Sequence, residues 1–208
     1  MILLIDNYDG CANNIYQLAG QVNSDIRIVR NDRLEMEDIQ RMAPSHIIIS
    51  GGSAAPEMAG NGMDTVRTFA GRIPILGICL GYRIICAVYG GKCTQMEKIM
   101  QGKRSLVKTE HASDLFNGVP DAFYAGFYHS WTVLEKDIPE SFHIIARSED
   151  DVVGIAHGTL AIFGLQFHPE SFLSEYGEVI LRNFLQMRPN GQPDSGCGVD
   201  DFKFPASS

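Results

Sequence analysis

Pro74-Ile-Leu-Gly-Ile-Cys-Leu-Gly-Tyr-Arg-Ile-Ile-Cys-Ala-Val-Tyr-Gly-Gly91 is the stretch on which the reading of the chain turns. It is a short apolar run that passes without alternation into a longer apolar segment, the pattern of a buried strand leading straight into a helix, with Cys79 at the joint. Gly77 and Gly81 stand two residues to either side of Cys79. Lacking a Cβ, they let the backbone turn sharply and let a neighbouring segment come close. A cysteine at a helix start also sits near unpaired backbone N–H groups and the positive end of the helix dipole, which favour a thiolate. The layout is that of a nucleophile elbow, Gly-x-Ser-x-Gly with sulfur in place of oxygen. Alone, these residues fit a small buried hydrophobe at a strand end equally well.

A second stretch, Phe163-Gly-Leu-Gln-Phe-His-Pro-Glu-Ser171, shifts the balance. In extended chain, residues i and i+2 face the same side, so Glu170 is placed to hold the imidazole of His168. His168 can then act as base for Cys79, with Glu170 fixing its tautomer.

Working outward, Met1–Asp6, Ile26–Arg30, His46–Ser50 and Ile75–Ile78 read as strands, alternating with helices over 13–22, 36–42 and 64–70. That alternation indicates an α/β fold with a doubly wound, mostly parallel central sheet. Ligands gather at the carboxyl ends of such strands, which here carry Asp6 to Asp9, the Gly51–Pro56 loop and Cys79. Beyond Gly91, short pieces at 92–97, 105–109, 121–128, 142–147 and 152–157 suggest a small antiparallel addition beside the main sheet. An apolar strand over 161–167 then delivers His168, and a helix over 176–187 follows. One domain over 1–187 is expected, with 188–208 as a flexible tail, because Pro-Asn-Gly-Gln-Pro-Asp-Ser-Gly has nothing to bury.

The bulk properties exclude several classes. A net charge of −8 argues against nucleic acid or anionic membrane as partner, since either would favour a basic face. No run is apolar for the ~18 residues a membrane span needs, and no signal peptide is evident. The five cysteines, at 11, 79, 86, 93 and 197, form no disulfide or zinc framework, and the six histidines show no ligand spacing, so neither metal nor cofactor is expected. Reduced thiols fit a cytoplasmic protein.

The chain resembles the class I (triad-type) glutamine amidotransferases, most closely the small subunits of anthranilate and aminodeoxychorismate synthases. The resemblance rests on Met1-Ile-Leu-Leu-Ile-Asp-Asn-Tyr-Asp9, Val29-Arg-Asn-Asp32, Pro74 to Gly81, Gly90-Gly-Lys92, Tyr128-His-Ser130 and Gln166-Phe-His-Pro-Glu-Ser171, in the family's order and spacing. It implies a flavodoxin-like amidotransferase fold and a Cys79-His168-Glu170 triad that takes glutamine to glutamate through a glutamyl thioester. It also implies ammonia passed to a separate, large chorismate-binding synthase subunit. By position, the backbone N–H groups of Gly52 and Leu80 would receive the oxyanion, and the backbone at Ser130 and Trp131 would bind the substrate's amino-acid end. Two departures stand out: Tyr82-Arg83 replaces His-Gln, and Gly51-Gly-Ser-Ala-Ala55 replaces Pro-Gly-Pro-Gly-Thr. Four residues after Cys79, Arg83 is expected on the cleft face of the helix, among the substrate-binding residues. The departures keep open a second reading, a weakly active or non-enzymatic regulatory subunit with impaired glutamine binding. A peptidase-like enzyme on the same fold is the other rival.

Overall fold

The computed structural model describes residues 1–189. In chain order the elements are β1 (Ile2–Asp6), α1 (Ala12–Val22), β2 (Ile26–Arg30), α2 (Met36–Met42), β3 (His46–Ile49), α3 (Gly62–Phe69), β4 (Ile75–Ile78) and α4 (Leu80–Val88). The second half holds β5 (Cys93–Thr109), β6 (Ala122–Val133), β7 (Phe142–Ser148), β8 (Asp151–His157), β9 (Ile162–Leu165) and α5 (Gly177–Leu185). All nine strands form one sheet in the order β2-β1-β3-β4-β9-β8-β7-β5-β6. The first five of that order are parallel and the rest antiparallel.

The short parallel strands read as unbroken apolar runs because both faces are covered. Alternate residues of β1 go to opposite sides. Ile2 and Leu4 pack with Ile15 and Ala19 of α1 and with Ile180, Leu181 and Phe184 of α5, whereas Leu3 and Ile5 pack with residues of α2, α3 and α4. Each fully buried Ile or Leu contributes about 1.5–3 kcal/mol relative to exposure, so the two-sided core is what holds the parallel strands in register. From β1 the chain crosses to β2 on one side and to β3 on the other, so the strand order reverses there. Segments 7–9, 50–53, 79 and 166–170, which follow β1, β3, β4 and β9, therefore emerge along one edge, where open α/β sheets bind ligands.

The antiparallel part differs from expectation in three ways. It continues the main sheet, through the β8–β9 pairing of Gly154 with Leu165, rather than standing beside it. The pieces expected at 92–97 and 105–109 are one strand, β5, whose polar interruption coincides with register shifts between Gln95 and Met100 and between Gln101 and Lys103. Its partner β6 runs on to Val133, because Trp131 pairs with Gln95, so Ser130 and Trp131 lie in a strand. Most of the expected tail lies outside the described residues; within them, the Pro189 carbonyl accepts from the Ala161 N–H. Among the described residues no helix is long and apolar enough to cross a membrane.

Candidate active site

Cys79 occupies the turn between β4 and α4 with φ 52° and ψ −96°, outside the regions an L-residue favours. The turn is locked from both sides. A Cβ at Gly77 would lie 2.3 Å from the Gly81 carbonyl carbon, and one at Gly81 would lie 2.4 Å from the Ile49 carbonyl oxygen. Only glycine lets α4 fold back this tightly over β3 and β4. Such backbone strain typically costs about 1–3 kcal/mol and persists where the surroundings over-determine it. The Cys79 N–H donates to the Leu165 carbonyl at 2.7 Å, tying the elbow to the end of β9.

The segment after β9 carries His168 and Glu170. His168 is anchored by its own N–H, which donates to the Gly126 carbonyl at 2.9 Å, and the Tyr128 ring packs edge-on against the imidazole at 5.1 Å. Nδ1 of His168 meets Oε1 of Glu170 at 2.6 Å, and both side chains are buried. Burial works against a charged imidazole there. The thiols of Cys11 and Cys79 and the Glu170 carboxylate outweigh it and hold the His168 pKa well above the usual value. Neither thiol makes a well-formed hydrogen bond to Nε2, which is buried and unpartnered.

These groups meet in a cleft of about 290 Å³, near the low end of the ~300–1,000 Å³ typical of small-molecule sites. Its walls include Tyr8, Asp9, Cys11, Gly52, Ser53, Cys79, Gln101, Tyr128 and His168. A larger hollow of about 760 Å³ lies around His111, Ser113 and Asp114, but its ionisable side chains are all exposed. At the cleft, by contrast, Asp9 Oδ2 and His168 Nε2 are buried without a partner, and so are Gln166 Oε1 and Glu170 Oε2 on the side chains that meet Cys79 and His168. Native interiors seldom leave such atoms unpaired, and their concentration marks a place that engages a polar ligand.

The Gly51–Pro56 loop forms one wall. Asn31 Nδ2 donates to Asn7 Oδ1 at 3.0 Å, the Asn7 N–H donates to Ser50 Oγ at 3.0 Å, and Ser50 Oγ donates to the Gly51 carbonyl at 3.0 Å. Gly52 has φ 155°, a conformation open chiefly to glycine. Backbone N–H groups of Gly52 and, at the first position of α4, of Leu80 make no hydrogen bond among the described residues. First-turn helix N–H groups are free in this way for a ligand.

The structure places four of the residues that the sequence assigns to substrate binding outside the set that lines this cleft. Arg83 does not line the cleft: it is 2 % exposed, and its guanidinium donates to the carbonyls of Gly52 at 3.0 Å and Ala54 at 3.2 Å, behind the loop. Ser130 and Trp131, two and three residues past Tyr128 on β6, do not line it either. The Leu80 side chain is buried against Gly52, leaving only its backbone to serve a ligand. Conversely, the side chains of Asp9, Cys11, Gln101, Tyr128 and Gln166 reach the site without any spacing signal that assigns them a role. Cys11 is half-buried at the start of α1, and its sulfur, a ring nitrogen of His168 and a Glu170 oxygen lie within 4.8 Å of one another. Gln166 donates from Nε2 to Cys79 Sγ at 3.6 Å.

A thiol, an imidazole with a bare nitrogen and a carboxylate behind it can take up and return one proton while sulfur bonds to carbon. The sequence profile of the class-I glutamine amidotransferases matches residues 3–187. The chain belongs to this family. An amidotransferase relative is the Aminodeoxychorismate/anthranilate synthase component 2 of Bacillus subtilis, 36% identical over 187 residues, spanning 89% of this chain and 96% of that protein. The Bifunctional protein TrpGD of Thermotoga maritima is 42% identical over 190 residues, 90% of this chain, and the chain spans about a third (32%) of that longer protein. A solved protein of Thermoplasma acidophilum, provisionally assigned to GMP synthase, shares the amidotransferase fold. It has TM-score 0.77 and 26% identity, over 88% of this chain and 91% of that one.

Proposed function

We propose that this amidotransferase hydrolyses glutamine to glutamate and hands the ammonia to a separate chorismate-using synthase, in the formation of anthranilate or 4-amino-4-deoxychorismate. Residues 1–187 are the working unit. The observation that carries the reading is the strained Cys79 elbow opening on the same cleft as the His168–Glu170 pair, in a chain that matches the family from residue 3 to 187. The Bacillus subtilis relative, with its double name, supports a chorismate-using partner of either kind.

In the proposed reaction the raised pKa of His168 lets Nε2 hold the proton given up by Cys79, and Sγ attacks the carboxamide carbon. The tetrahedral oxyanion is received by backbone N–H groups, Gly52 and Leu80 being the two in reach of the elbow, each worth on the order of 3 kcal/mol in comparable sites. The imidazolium then gives its proton to the departing nitrogen, ammonia leaves, and His168 activates the water that frees glutamate from the thioester. Glu170 keeps Nδ1 protonated throughout, so that Nε2 does the exchange. Gln166 supports Cys79 Sγ with a donor. A working thiol of this kind suits a reducing, cytoplasmic setting.

Glutamate release from glutamine, measured with and without the synthase subunits for anthranilate and aminodeoxychorismate, tests the proposal. Release that rises severalfold with at least one of them is expected. No release with either would overturn it and favour the regulatory-subunit reading.

A further inference from the structure

Arg83 is among the largest fully buried side chains, yet no carboxylate pairs with it among the described residues. A buried guanidinium without a counter-ion is costly and persists only where specific hydrogen bonds offset the lost hydration. Here both bonds go to one segment: Nη2 to the Gly52 carbonyl at 3.0 Å and Nη1 to the Ala54 carbonyl at 3.2 Å. That segment is the cleft wall, and it begins with two consecutive glycines, the residues that lose most freedom on being fixed.

In a planar trans peptide the C=O and the following N–H point in opposite directions. Ser50 Oγ holds the Gly51 carbonyl and so fixes where the Gly52 N–H points. By the same logic Arg83, holding the Gly52 carbonyl from behind, turns the Ser53 N–H away from itself, on the side where Gly52 and Ser53 line the cleft. A cation on a carbonyl also polarises that peptide, which makes its N–H a better donor.

We propose that Arg83 is a positioning residue: it straps the Gly52–Ala54 backbone from behind, sets the direction of the Ser53 N–H, and fixes the loop that presents the Gly52 N–H to the substrate oxygen, without touching substrate. This rests on the glutaminase reading above for its chemical consequence, and on the loop geometry alone for its structural one.

The test compares the full chain with Arg83→Met and Arg83→Lys by two readouts. In backbone 15N relaxation, the order parameters of the amides of residues 51–55 are expected to fall from the rigid-backbone value of about 0.85 to below about 0.6 in Arg83→Met while β4 and β9 amides keep theirs; Arg83→Lys, able to reach one carbonyl at a time, falls between. In glutamine turnover with the synthase present, kcat is expected to drop on the order of 10²-fold with KM changed less than about threefold, as for loss of oxyanion donors. Should Arg83→Met fail to fold, Arg83→Lys decides by the same two criteria at smaller amplitude. Unchanged loop order parameters overturn the proposal, and so does a raised KM with unchanged kcat, which would make Arg83 a substrate ligand. Absence of turnover in the unaltered chain would count against the glutaminase reading instead, and the relaxation data would still judge the strap.

Discussion

Glu170 Oε1 stands 2.6 Å from His168 Nδ1, and this short bond leaves Nε2 as the one ring nitrogen that can act on Cys79. Glu170→Gln keeps the shape and removes the charge that stabilises the imidazolium. The expected outcome is a loss of kcat for glutamine on the order of 10²-fold or more, with KM little changed. Steady-state kinetics in the presence of the synthase check it.

Cys11 is the neighbour of His168 that the sequence motifs do not announce. Because its thiol helps to hold the imidazole charged, Cys11→Ala should move the His168 titration back toward the ordinary histidine value. The group's folded pKa is raised, so its contribution to stability is full below the unfolded value near 6.5 and fades as pH rises through the folded value. Imidazole NMR reads the titration, and an unmoved midpoint would show that Cys79 and Glu170 suffice.

His129 behaves in the opposite sense. Burial lowers its pKa to about 4, against a partial offset from the Trp131 carbonyl at 3.0 Å from Nδ1. Between about pH 6.5 and 4 the unfolded chain binds the extra proton, so stability falls as pH drops through that window, by roughly 3 kcal/mol if the shift is fully expressed. His129→Gln should flatten the acid limb of stability measured by urea unfolding. An acid limb identical in both proteins would assign the loss to other groups.

Gly51 lies against the imidazole: a Cβ there would sit 2.7 Å from Asp9 Oδ2 and 2.8 Å from His168 Cε1. Gly51→Ala must push one of them aside. A displacement of about 1 Å at a reacting group can cost on the order of 10²-fold, so turnover is expected to fall by that order while the melting temperature changes little, since side-chain ends are what yield. Undiminished turnover would mean that only Asp9 moves.

What was legible in the sequence was local. Gly77, Cys79 and Gly81 constrain one another over five residues, and His168 faces Glu170 across a single proline, so spacing alone conveys both. The wall formed by Asp9, Cys11, Gln101 and Tyr128 draws on the segment after β1 and on the β5–β6 pair, and becomes adjacent only when the sheet order is known. Arg83 escapes a helical reading for a physical reason. Helical spacing puts it on the face of Cys79, and the Arg83 N–H does donate to the Cys79 carbonyl at 3.2 Å, but Cys79 is the cap with φ 52°, so its side chain leaves the backbone outside the helical pattern and the side-chain i, i+4 pairing fails. Likewise the register shifts in β5 carry β6 past Tyr128, which draws Ser130 and Trp131 into the sheet.

The most direct measurement is to quench the chain, with synthase present, in acid during turnover of glutamine, and to map the covalent adduct by peptide mass spectrometry. A glutamyl thioester on Cys79, absent in Cys79→Ser and retained in Cys11→Ala, is the predicted result. A glutamyl group on Cys11, or turnover without any adduct on Cys79, would contradict the account.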